Sequence, residues 1–106
     1  MYIKRSVELT GIKPELVLAI MVVRDAFVME GLDTVVTSVV DSKHSRQSLH
    51  YVGYAVDFRI SQDFGEQTAS HFAQSIRGKL TPEFDVVLEW GDGTAPHLHV
   101  EYQPKR

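Results

Sequence analysis

The stretch YAVDFRI, residues 54–60, decides how this chain folds. Tyr54, Val56, Phe58 and Ile60 alternate with Ala55, Asp57 and Arg59. Successive side chains of a strand point to opposite faces, so the stretch reads as a strand with an apolar back and a polar front. Two more runs of strand character lie near the C-terminus. FDVVLEW (84–90) and HLHVEYQ (97–103) flank the turn-rich GDGTAP (91–96), which predicts an antiparallel hairpin. Upstream, DTVVTSVVD (33–41) is short and rich in β-branched residues and reads as a further strand, followed by a polar loop, SKHSRQS (42–48).

Two segments carry helical spacing instead. From Pro14, placed as a first-turn proline, to Met29 the residues are helix formers or apolar, and Gly31 supplies a stop, so a buried first helix is predicted. Its apolar run LVLAIMVV (16–23) is eight residues between Glu15 and Arg24, far short of the roughly twenty that a membrane span needs. Between 65 and 80, Ala69, Phe72, Ala73, Ile76 and Leu80 recur at spacings of three and four, the stripe of an amphipathic helix. The order helix, strand, strand, helix, strand, strand implies an α+β domain, a small mostly antiparallel sheet with two main helices packed on one face.

Composition narrows the function. At 106 residues the chain is read as one domain, 1–106, with room for a single site. A net charge of -3 offers no basic surface for nucleic acid. The absence of cysteine removes disulfides, thiolate metal sites and cysteine nucleophiles, leaving imidazole and carboxylate as the metal-binding groups. The opening MYIKRSVELTGIKPE has a basic pair but no apolar stretch of the kind a secretory signal carries.

In HLHVEY, period two puts His97, His99 and Glu101 on one face and Leu98, Val100 and Tyr102 on the other. If the apolar side joins Val56 and Phe58 in the core, Asp57 and both histidines project onto a common polar surface where a cation could sit. Two imidazoles, a carboxylate and an open fourth position are the ligand set of a catalytic zinc. His50 lies seven residues before Asp57, up to about 23 Å away if extended, so the chain must bend between them, with Gly53 the natural place. His44, in the polar loop, and His71, beside the stripe of the second helix, are read as ordinary histidines.

The pattern S-x-H-x-x-G-x-A-x-D, here Ser48, His50, Gly53, Ala55 and Asp57, followed by H-x-H at His97 and His99, resembles the zinc peptidases of the M15 family. That group includes D-alanyl-D-alanine carboxypeptidases, phage endolysins of the L-alanyl-D-glutamate endopeptidase type and the hedgehog signalling domain. The likeness runs over roughly residues 14–104. It implies that His50, Asp57 and His99 bind Zn2+ on the face of the sheet away from the helices, with Ser48 organising the turn before His50. It further implies that the substrate is the peptide stem of peptidoglycan.

Where the family carries an acidic general base, three positions before the last ligand, this chain has Pro96. Glu89, across the hairpin from His97, is the preferred replacement and Asp92, in the glycine-flanked loop, the alternative; zinc-bound water still needs a group to take its proton. His97 is assigned to the oxyanion, with the converse roles for His97 and His99 left open. Arg46 and Arg59 are the candidates for holding a substrate carboxylate. The resulting expectation is a zinc metallopeptidase of cell-wall degradation, a D,D-carboxypeptidase or L,D-endopeptidase. It would act as a monomer, made in the cytoplasm without a signal peptide and reaching the wall after release, with neither nucleic acid nor membrane as partner. The alternative is a catalytically silent zinc-binding interaction domain of the same fold.

Overall fold

A computed structural model describes residues 1–5, 7, 12–40, 55–91, 93 and 95–103. Five strands, β1 (Tyr2–Ile3), β2 (Val35–Val40), β3 (Ala55–Arg59), β4 (Phe84–Glu89) and β5 (His97–Tyr102), form one sheet in the order β1-β2-β3-β5-β4. Two helices, α1 (Pro14–Met29) and α2 (Glu66–Lys79), complete the α+β architecture, with a single 3-10 turn at Gln62–Phe64 between β3 and α2. The sheet is mixed: β1 runs parallel to β2, and every other pairing is antiparallel. β1 is absent from the sequence reading because two residues are too few to show a period.

Local chemistry sets the ends of α1. Pro14 occupies the first turn, where a missing N–H costs nothing, and Glu15 places a carboxylate near the positive end of the helix dipole. At the other end Gly31 takes φ 72°. Its N–H donates to the Val28 carbonyl and the Leu32 N–H to the Phe27 carbonyl, both at 2.9 Å, the paired bonds of a Schellman motif. Helix α2 ends on Arg77 and Lys79, whose charges suit the carbonyl end of the dipole. Arg77 also donates from Nε to the Val86 carbonyl at 2.9 Å, tying α2 to β4.

The core lies between the helices and one face of the sheet. Val56 and Phe58 from β3, Leu98 and Val100 from β5, Val36 from β2 and Val86 from β4 meet Leu16, Ala19, Ile20, Val23 and Phe27 of α1. Ala69, Phe72, Ala73 and Ile76 close it from α2, with Phe27 and Phe72 edge to face at 4.8 Å. The register that buries these residues sends their neighbours outward. Asp57 pairs with His99, Arg59 with His97, and Ala55 with Glu101, while β4 sets Glu89 beside His97 and Asp85 beside Glu101. The face away from the helices is therefore largely polar, with Ala55 and Val87 among its apolar members.

Two expectations need correction. Helix α1 is not buried all round, for Val17, Leu18, Met21, Val28 and Met29 are exposed on its far side. The open face also does not carry the expected zinc site. Among the described residues no group of three or more His, Cys, Asp or Glu side chains is arranged to hold a metal ion. The orientation of His99 supplies the physical reason.

Candidate ligand-binding site on the open face of the sheet

Asp57 and His99 are direct neighbours across β3 and β5, the spacing at which opposed side chains touch. The His99 Nδ1–H donates to Asp57 Oδ1 at 2.6 Å, and its Nε2–H donates to Glu101 Oε1 at 3.1 Å. Glu101 is held in turn by Gln103, whose Nε2 donates to Oε2 at 2.7 Å. The imidazole thus lies between two carboxylates. Its pKa is raised from 6.5 to about 9, chiefly by the Asp57 hydrogen bond; partial burial opposes the shift and Glu101 adds to it. This environment favours the protonated ring at neutral pH.

Next to this row a cleft of about 280 Å³ opens, lined by Lys4, Thr37, Asp57, Arg59, Ala95, Pro96 and His97. Backbone bonds fix its walls. Lys4 follows β1 and is anchored through its N–H to the Val36 carbonyl at 2.9 Å. Thr37 stands at an irregularity in the β2–β3 register between Val36 and Ser38, and its hydroxyl makes a long 3.4 Å contact to the Asp57 carbonyl. The Pro96 carbonyl accepts from the Ile60 N–H at 3.1 Å, which holds the 95–97 segment over the end of β3. His97 donates from Nδ1 to the Ala95 carbonyl at 3.2 Å, so Nε2 is the ring nitrogen left to meet a ligand.

A larger groove of about 340 Å³ lies between the helices, with Met29, Phe64, His71 and Phe72 among its walls. Its charged walls are Glu30 and Lys79, one of each sign, whereas on the sheet two cations, Lys4 and Arg59, share one cleft with Asp57. Concave sites that fix a ligand's orientation do so through a few converging polar groups. The sheet cleft is therefore the candidate site.

Of the residues singled out from sequence, Asp57, His97, His99, Arg59 and Glu89 all share the open face. His50, Arg46, Ser48, Gly53 and Asp92 lie outside the described residues. Lys4 and Thr37 were missed. Lys4 belongs to a segment too short for periodicity, and Thr37 lies in a run, VVTSVV, whose β-branched residues show no polar–apolar alternation.

The zinc assignment does not survive this geometry. Both ring nitrogens of His99 face carboxylates, Nδ1 toward Asp57 at 2.6 Å and Nε2 toward Glu101 at 3.1 Å, and Asp57 is turned toward His99 rather than toward a shared cation position. With no metal-holding group among the described residues, several expectations fall together. They are the Zn2+ cofactor, the zinc metallopeptidase and hydrolase activity of carboxypeptidase or endolysin type, the silent zinc-binding alternative and membership of the M15 family. Comparisons with models of known protein families, with curated proteins and with solved structures found no match for this chain.

Proposed function

We propose that the chain binds a small carboxylate-bearing ligand, of the kind a short peptide presents, in the cleft between Lys4, Arg59 and His97, without a metal ion. The observation that carries this reading is the meeting of two cations with Asp57 in one cleft. A guanidinium offers a planar fork of donors matched to a carboxylate, and Lys4 adds a second positive charge. Asp57 accepts one bond from His99, which does not exhaust the acceptor capacity of a carboxylate, so a ligand amine has a partner beside the cations. The carboxylates of Asp57, Asp85, Glu89 and Glu101 on the same face disfavour a nucleic-acid backbone.

The peptidoglycan stem peptide, short and rich in free carboxylates, has the required chemistry and is the first ligand to test. Titration calorimetry of the chain with D-alanyl-D-alanine and with soluble stem peptides, with and without chelator, reads the interaction directly. Saturable binding that chelator leaves unchanged and that Arg59→Gln or Lys4→Gln weakens supports the assignment. Absence of binding, indifference to both substitutions, or loss of binding on chelation overturns it.

A further inference from the structure

Helix α1 carries two apolar stripes. Leu16, Ala19, Ile20, Val23, Ala26 and Phe27 enter the core. On the far side Val17, Met21, Arg24 and Val28 follow one another at steps of four, three and four, the seam spacing of paired helices. Met21 is 53% exposed, Val28 57% and the flanking Leu18 65%. Apolar residues on both sides of a helix are the pattern of one covered on both sides, yet among the described residues nothing covers Leu18, Met21 or Val28.

The charges on the second stripe specify what would. Arg24 and Asp25 are adjacent, exposed and only loosely paired, with Arg24 Nε 3.9 Å from Asp25 Oδ1. They sit between Met21 on one side and Val28 on the other. When such a helix is laid antiparallel on a copy of itself about a two-fold axis between these two charges, Arg24 meets the partner's Asp25 and Met21 meets the partner's Val28. Each contact occurs twice, as two-fold symmetry requires. In a parallel pair Arg24 would face the partner's Arg24 instead. The stripe is thus self-complementary in one orientation.

We propose that two copies of this chain associate through α1, antiparallel, with reciprocal Arg24–Asp25 ion pairs at the two-fold axis and Met21 packed on Val28. This departs from the monomer expected from the sequence and is independent of the ligand cleft, which lies on the other face of the sheet. A single helix pair buries less than the roughly 800 Å² per partner of a standard interface, which places the dimer among weak, reversible associations.

Sedimentation velocity across a concentration series of the full chain tests it. A monomer–dimer equilibrium is expected in the wild type, with Met21→Asp monomeric and unchanged in circular dichroism. Arg24→Asp and Asp25→Arg each place like charges at the axis and are expected to weaken the dimer about tenfold. Mixed together, the two variants restore opposite charges at both contacts and are expected to form a heterodimer at wild-type strength. A wild type that is monomeric up to about 1 mM overturns the proposal. So does a dimer indifferent to Met21→Asp, or a mixture no stronger than its parts.

Discussion

Asp57 and His99 stand 42 residues apart in the chain and 2.6 Å apart in space, joined by a hydrogen bond across the two central strands. Asp57→Asn removes the charge and keeps the shape. The His99 pKa is expected to fall toward its ordinary range, and the fold to lose about 1–3 kcal/mol at neutral pH. A histidine proton titration followed by NMR, together with urea unfolding, reads both. An unshifted His99 would remove Asp57 as the dominant cause.

The same pair makes stability depend on pH in a defined direction. His99 has a folded-state pKa of about 9 against 6.5 for the free side chain. Below 6.5 both states carry the proton and the stabilisation is complete; between 6.5 and 9 the unfolded chain gives up its proton first and the benefit declines; above 9 it is gone. With the ring 26% exposed, the loss is expected to be on the order of 2 kcal/mol. Urea midpoints from pH 6 to about 9.5 should fall in the wild type and stay level in His99→Gln. Parallel profiles for the two proteins would contradict the assignment.

Phe58 is the largest of the fully buried side chains, on the inner face of the central strand. Phe58→Ala is expected to cost about 3–5 kcal/mol, the range for removing a buried ring whose cavity cannot collapse. Leu18→Ala, on the exposed side of α1, should change monomer stability by less than about 0.5 kcal/mol. Chemical denaturation of the two variants at low protein concentration separates core from surface.

At Gly31 an added Cβ would meet nothing within 4 Å, so only the backbone conformation opposes a larger residue. With φ at 72°, Gly31→Ala is expected to destabilise by about 1 kcal/mol. Asn, which tolerates this region, should recover part of the loss. Equal stability of the glycine and alanine forms in thermal unfolding would mean that the helix ends differently.

The sequence carried the elements well where a period had room to show. Alternation in residues 54–60 and 97–103 defined β3 and β5 and the sides they present, and the three-four spacing of Ala69, Phe72, Ala73 and Ile76 defined α2. It could not carry β1, which is two residues long, nor the irregularity in the β2–β3 register beside Thr37. For α1 the apolar content was plain but its direction was not, because residues on both sides of the helix are apolar. At the site, alternation placed Asp57, His99 and Glu101 on one face, yet a metal cage and a carboxylate–imidazolium–carboxylate row use the same residue types at the same spacing. Ring orientation distinguishes them, and it is fixed by Asp57 on another strand together with Glu101 on its own.

The strand order has a consequence for how the molecule comes into being. β4 and β5 are joined by a connection of seven residues, 90–96, and lie at the end of the sheet, whereas β3 meets β5 only across the whole of α2 and β4. Short loops close at the lowest entropic cost, so the terminal hairpin is expected to form first and β3 to dock on it afterwards. Pulse-labelled hydrogen exchange should protect amides of β4 before those of β3; the reverse order would refute the sequence of events. The Asp57–His99 contact then comes into existence only when the long-range docking step is complete, so a chain arrested before that step has its hairpin but no site.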